Sequence, residues 1–290
     1  MNKLPAEYTV RTISEYQETV SKIFDQWKVE ITGRVLSQLW FRGQCNDAPL
    51  LPKVLRKETN PDTGEECNFN ELYILTVFSS LYRNYTSERF QEKSSEFYGF
   101  MQHYGVPTRL LDWTENGVYA LYFAVNGGAY DKDVQRVVWV MNPGAINHLT
   151  IKDHLSYNPL MSHVPYVQAR MKMPGYKDIN IFKEKEPAFA EIEDEKLKYP
   201  ISFYPSSSGN IRIAAQKGCF TIHGTENQPI ESFFVNHDNI YKYLVKIKIL
   251  KGSVAAVREQ LKIMGITTRS VYPDIFGLAA ELSVPGYLKS

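Results

Sequence analysis

QHYGVPTRLLDWTENGVYALYFAVN, residues 102–126, decides how the rest of the chain is read. It opens on the end of a helix predicted over 94–104, which Gly105 suits as a terminator and which Pro107 keeps from continuing. It closes on a short helix over 117–126 that is apolar nearly all round and is therefore expected to be buried. Between the two, Thr108, Arg109, Asp112, Trp113, Thr114 and Glu115 crowd into one polar-rich turn, 106–116. A surface loop has no need of that mixture. Beside a buried helix its charges must be paired or used, because an unpaired buried charge is costly.

Working outward, Ser14 is expected to cap a helix running to about Lys28, with Val20, Ile23, Phe24 and Trp27 on one face. Residues 35–41 read as a strand that ends in Arg42-Gly43-Gln44, and 60–68, with Pro61, Gly64 and three acids, as an exposed loop. A helix is predicted over 70–85 from the stripe Leu72, Leu75, Val77, Phe78 and Leu81. Downstream, 136–141 and 243–250 read as strands, 201–204 as a short strand stopped by Pro205, and 206–209 as a loop. Two short ordered pieces, 211–215 and 219–223, flank Gln216-Lys217-Gly218. Ser253 caps a helix ending near Met264 with Gly265 as its stop, 267–272 reads as a strand, and 275–282 as a last short helix. Between 143 and 200, recurrent prolines and clustered charges mark an irregular excursion from the core. Strands and helices mix without regular βαβ alternation. The expected class is α+β, mixed small sheets flanked by helices, with a helical segment at 1–35 and the main domain at 36–290.

Composition narrows the function. The 290 residues fit one large domain or two packed lobes at about 150 residues per domain. Lys plus Arg is 33 and Asp plus Glu 32, so net charge gives no general argument for a nucleic-acid or membrane partner, although a local basic groove is compatible with it. Aromatics reach 13%, with 19 Tyr, enough for a packed aromatic core and for surfaces that stack planar ligands. The longest wholly apolar run is 118–125, against about 20 residues for a membrane span. The N-terminus has no apolar stretch of signal-peptide length, so no membrane role and a cytoplasmic location are expected. Cys45, Cys67 and Cys219 form no C-x-x-C pair or zinc spacing and are read as free buried thiols in a reducing compartment. The six His include no i, i+4 pair, and no metal site is expected. Phosphate-loop, dinucleotide, zinc-protease and nucleophile-elbow motifs are missing.

Three groups remain that could carry chemistry. Arg42 offers a rigid fork for phosphate or carboxylate, and Gly43 beside it allows a ligand or a second backbone to approach closely; alternatively Arg42 pairs with an internal acid such as Asp112. The 102–116 cluster is either a catalytic constellation or a structural knot in which Arg109 and Asp112 pair. Arg212-x-x-x-Gln216-x-Gly218-x-Phe220 supplies a third arginine, which is either a ligand contact or a solvated side chain.

These residues carry a resemblance. Trp40-Phe41-Arg42-Gly43-Gln44, Leu51-Pro52 with Arg56, the run from Gln102 to Thr114, Ala120-Leu121-Tyr122-Phe123-Ala124, Arg212 to Ile222, and Tyr272-Pro273-Asp274-Ile275-Phe276-Gly277-Leu278-Ala279 together resemble the FRG domain, named for its Phe/Tyr-Arg-Gly motif. Phe276 stands where that family usually has an Asp. The resemblance implies a bacterial or phage-associated protein with a fold near the ADP-ribosyltransferases and NAD as substrate in a cleft. It implies transfer to a protein or nucleic-acid acceptor in toxin or anti-phage defence, with an antitoxin or regulator as a further partner. By the same resemblance Arg42, Gln44, Thr108, Arg109, Thr114 and Arg212 bind the nucleotide, while His103, Asp112 and Gln216 are catalytic. Gln216 stands where a Glu would be expected, so Asp112 or Glu115 is the candidate carboxylate, with Glu281 late in the chain on a helix. The segment 119–124 either walls a nicotinamide pocket or is a core helix. The competing readings are a non-catalytic nucleotide- or phosphate-binding module, and an interaction scaffold or sensor that docks through 143–200.

Overall fold

The structure is a computed structural model and describes residues 6–27, 29–31, 34–36, 39–90, 95–127, 133–144, 200–204, 211–224, 226–235 and 243–283. In chain order, strand β1 (Ala6–Val10) leads into helix α1 (Ile13–Trp27). A two-stranded ribbon follows, β2 (Val29–Ile31) with β3 (Arg34–Leu36), and then strand β4 (Trp40–Gln44). A second ribbon, β5 (Lys57–Thr59) with β6 (Glu66–Asn68), precedes helices α2 (Glu71–Leu81) and α3 (Ser95–His103). Strand β7 (Leu110–Thr114), helix α4 (Gly117–Asn126) and strand β8 (Arg136–Met141) form the next unit. Strand β9 (Ile201–Phe203), helix α5 (Ile211–Ala215), strand β10 (Gly218–Ile222) and helix α6 (Ile230–Val235) come next. Strand β11 (Leu244–Ile249) and helices α7 (Val254–Ile263), α8 (Thr268–Val271) and α9 (Ile275–Leu282) complete it. The molecule is mixed α/β. Its seven-stranded sheet has the order β1-β11-β8-β4-β7-β10-β9, antiparallel at every junction except the parallel pair β1/β11.

Side-chain alternation distributes the core. Phe41, Val138, Val140, Val245 and Ile247 line one face and pack with Tyr16, Ile23 and Trp27 of α1, with α4, and with Val257 and Leu261 of α7. On the other half of this face, Leu110, Phe220, Ile222 and Phe203 meet Leu75 of α2 and Phe97 and Met101 of α3 as a separate cluster. Trp40, Leu111, Trp113, Val137 and Trp139 line the opposite face, covered by Ile230 and Phe234 of α6 and by Leu50. Caps fix the helix starts: Asn70 accepts from Tyr73 N, Asn116 from Val118 N and Tyr119 N, and Asp274 from Gly277 N.

Several expectations need correction. Thr12 rather than Ser14 caps α1, its hydroxyl accepting from Glu15 N at 3.1 Å. The predicted strand at 35–41 is split: 34–36 belongs to a separate ribbon, and the sheet strand begins at Trp40. Arg42 is therefore not at a strand end but in mid-strand, opposite Trp139. The polar triplet continues the strand because Gly43 turns its bare face to α4 while Arg42 and Gln44 alternate to the other side. The polar turn contains a strand, β7, whose four apolar or hydroxyl residues are buried around Asp112. Residues 267–272 hold helix α8 in place of a strand: Thr267 N donates to Ser270 Oγ at 2.8 Å, a local closure that overrides the β-branched composition. The exposed 60–68 loop is the turn and second strand of the β5/β6 ribbon. The segments 145–199 and 206–209 lie outside the described residues.

The glycine of the Phe41-Arg42-Gly43 motif sets the distance between sheet and helix. A Cβ at Gly43 would stand 1.8 Å from the Ala120 carbonyl oxygen and 2.7 Å from Ala124 N, both α4 backbone atoms that no rotamer change can move. Gly43→Ala should destabilise the fold by about 1–3 kcal/mol or more through overpacking. Gly99→Ala, on α3 where an added Cβ meets nothing within 4 Å, should stabilise by up to about 1 kcal/mol. Urea unfolding of the two variants checks both signs.

Candidate functional site

Strand β7 has neighbours on both sides, so its side chains should be covered; yet the Asp112 side chain is 57% exposed. Pairing of Phe41 with Thr114 places Asp112 on the Phe41 face, between the α4 core and the α3 core. The carboxylate lies between those two helical clusters and is exposed there. Its orientation is built. Gln102 Nε2, from the last turn of α3, donates to Asp112 Oδ2 at 2.9 Å, and Gln102 Oε1 accepts from Thr108 Oγ1 at 2.6 Å. Thr108 in turn accepts from Leu110 N and is itself buried.

Arg42, although it alternates to the opposite face of the sheet, reaches Asp112 across the junction of β4 with β7. The register between β4 and β7 is a single pair, and beyond it Arg42 Nη1 donates to the Asp112 carbonyl at 2.6 Å and lies 3.8 Å from Oδ2. Burial draws the Arg42 pKa down, the Asp112 charge opposes this, and Arg56 adds to the lowering. Arg42 Nε and Gln44 Oε1 are buried without a hydrogen-bond partner.

A second polar group lies within electrostatic reach of the first, since Tyr272 feels charges from both. Arg212, on α5, pairs with Asp274, its guanidinium 5.5 Å from the Tyr272 ring centre and 5.7 Å from that of Phe276. Asp274 is held near pH 2 by its hydrogen bond to Arg212 and by Gly277 N. His103, at the end of α3, is pushed below the usual histidine range by burial and then by Arg212, against the pull of Asp274 and Glu88. Tyr272 links the two groups, since its phenol feels both Arg212 and Asp112 while burial, the largest cause, raises its pKa.

The remaining candidates are braces. Thr114 is buried and donates to the Gln216 carbonyl at 2.6 Å, and Gln216 Nε2 donates to the Val271 carbonyl at 3.0 Å. Arg109 does not pair with Asp112. Its Nε donates to both Glu71 oxygens at 2.8–2.9 Å and its Nη1 to the Gly224 carbonyl, which pins the start of α2 to the sheet. Glu115 accepts from the Tyr204 hydroxyl, and Glu281 accepts from Arg269 N. Residues 119–124 belong to α4, whose Ala120, Leu121, Tyr122 and Ala124 are core. All three cysteines are free, as expected, but only Cys219 is buried, its pKa raised by burial; Cys45 is half-buried and Cys67 exposed. Among the described residues no His, Cys, Asp and Glu side chains cluster to hold a metal, and no helix is long and apolar enough to cross a membrane.

The residues around Asp112, from β4 through Gln102 and Asp112 to α4, fall within one family model, which matches residues 37–133. That family is the FRG domain. No curated protein and no solved structure matches the chain. The FRG match covers Arg42, Gln102 and Asp112, whereas Arg212, Tyr272 and Asp274 lie beyond it. Gln102, Glu71, Tyr272 and Asp274 are contributors that sequence reasoning misses. Gln102 was legible as the one amide just before the helix stop; Glu71 carried no signal beyond its place after the Asn70 cap.

Glu71 and Arg109 are 14% and 16% exposed at the side chain. Burial raises the Glu71 pKa and Arg109 opposes that, so the acid depends on its partner. Arg109→Ala should cost about 3–5 kcal/mol by leaving a buried acid unpaired. Adding Glu71→Leu should restore much of that loss. A double-mutant cycle by chemical denaturation measures both.

Proposed function

We propose that the protein is an ADP-ribosyltransferase-like enzyme that takes NAD as substrate and a macromolecule as acceptor. The observation that carries this reading is Asp112, a carboxylate exposed at the middle of a seven-stranded sheet and oriented by Gln102. In the proposed reaction the bond between the ribose carbon and nicotinamide breaks, and nicotinamide leaves with the electron pair. The cationic sugar carbon is then captured by an acceptor nucleophile, whose proton passes to a base. A fixed carboxylate opposite that developing charge is the electrostatic requirement. His103, whose pKa burial draws down and which therefore favours the neutral imidazole, suits the base. Arg42, in contact with Asp112, and Arg212 suit the diphosphate. A role in bacterial toxin or anti-phage systems rests on the family resemblance.

One observation favours a second reading, a non-catalytic nucleotide-binding module. Gln216, where a catalytic acid would be expected, is bonded to the Val271 carbonyl and braces backbone instead. One experiment separates the two. The full chain is incubated with labelled NAD and lysate, and nicotinamide release, label transfer and calorimetric binding of NAD are followed. Asp112→Asn keeps the shape and the Gln102 contact. It should lower nicotinamide release by about 100-fold or more while changing NAD affinity less than about 10-fold. Activity should fall as pH drops through a value below the ordinary histidine range near 6.5, and His103→Ala should remove that limb. NAD binding without release hands the site to the module reading; neither binding nor release from folded protein ends both.

A further inference from the structure

On the outer side of α3, away from Asp112, helix α2 is mostly apolar, yet Leu75 is its one buried residue. Between α2, the turn at residues 82–84 and α3 lies a cavity of about 510 Å³. Pockets that hold drug-sized ligands span roughly 300–1,000 Å³. We propose that this cavity binds a planar aromatic anion, with the rings in the apolar interior and the negative group at the rim.

The lining decides the body of the ligand. Tyr73, Phe78, Tyr82, Tyr85, Phe100 and Tyr104 contribute six rings. Phe78, Tyr82 and Phe100 are mutually close, with Phe78 and Tyr82 both inclined to Phe100 at centre distances of 6.0 and 6.1 Å. Tyr73, Tyr85 and Tyr104 stand 67%, 85% and 63% exposed at the mouth, so their faces are open to an incoming ring. Ring-on-ring contact is worth about 0.5–1.5 kcal/mol beyond area burial, a gain that a flexible alkyl chain does not collect. Val77 and Leu81 fill the wall with aliphatic surface.

The rim decides the charge. Arg83 lies 5.7 Å from the Tyr82 ring centre and donates from Nε to the Tyr82 hydroxyl at 3.4 Å. Arg89 is anchored through Nη1 on the Thr86 and Glu88 carbonyls, and Thr86 lines the cavity. Lys53 Nζ donates to the Gly105 carbonyl, next to Tyr104. Lys53, Arg83 and Arg89 are all exposed. A rim of exposed guanidinium groups over a ring-lined interior favours an anion joined to an aromatic body.

The full-length protein is titrated with anilinonaphthalene sulfonate and with its uncharged analogue phenylnaphthylamine, following fluorescence. Near-ultraviolet circular dichroism shows that each variant is folded. Wild type should bind one equivalent of the sulfonate saturably, and more tightly than the uncharged probe. Arg83→Glu with Arg89→Glu should weaken the sulfonate about 10-fold or more and the uncharged probe less than about 2-fold. Val77→Arg should abolish both. If that variant does not fold, Tyr85→Ala, at a largely exposed position, should weaken both. Absence of saturable binding to folded wild type overturns the proposal, as does binding that neither Val77→Arg nor Tyr85→Ala alters. Dodecanoate binding more tightly than the sulfonate overturns the aromatic assignment in favour of acyl chains. None of these outcomes bears on Asp112, since the probes are read at the other side of α3.

Discussion

The junction between β4 and β7 is the constraint on which the rest of the molecule depends. A regular antiparallel ladder would continue past Phe41 and Thr114 and zip the centre of the sheet shut. Here the ladder is one pair long, and the Arg42 guanidinium satisfies the Asp112 carbonyl that a backbone N–H would otherwise serve. This substitution has two effects. It holds the two halves of the sheet together with a charged side chain, which requires a compensating acid nearby. It also lets the helices above each half pack as separate clusters, which is why Asp112 meets solvent in a place where sheets are normally covered.

The polar density of residues 102–116 follows from that exposure. An exposed carboxylate is useful only if it is fixed, and fixing it takes a second layer of polar groups that are themselves buried. Thr108 orients Gln102, and Gln102 orients Asp112. Thr114 holds the loop that carries Gln216. Arg109 secures α2 through Glu71. Of the side chains that look functional in the linear sequence, about half stabilise the geometry, while a smaller set stays exposed or half-exposed.

How much of this was legible in the sequence depends on whether a residue's role is local or long-range. Helices α1, α2, α3, α4, α7 and α9, and strands β8 and β11, follow from periodicity and stop signals within a few residues, and they were readable. Helix α8 was not. Four residues are too few to show a period, and Thr267, Thr268 and Val271 have strand composition; a single side-chain bond within the turn decides the outcome. The proximity of Arg42 to Asp112 was readable as a need for charge compensation. The true partner of Arg109 was not, because Glu71 is 38 residues upstream and nothing local distinguishes it from a first-turn acid on any helix. The clustering of Arg212 and Asp274 was likewise invisible to spacing, being made by the return of the chain from β11 through α8.

The parallel pairing of β1 with β11 bears on the order in which the molecule is assembled. Ala6 meets Val245 and Val10 meets Ile249, so this strand leaves the ribosome well before its sheet partner. At roughly 5–20 residues per second, tens of seconds separate the two. During that interval α1, whose Tyr16, Ile23 and Trp27 end in the core, has only part of its final surface to pack against. The β4 to α4 unit can meanwhile form from contacts made early, so the region holding Asp112 takes shape before the edge of the sheet is closed. Closing it is a long-range step, of the kind that raises contact order. An amphipathic helix that waits unburied so long is also where a chaperone would engage the growing chain.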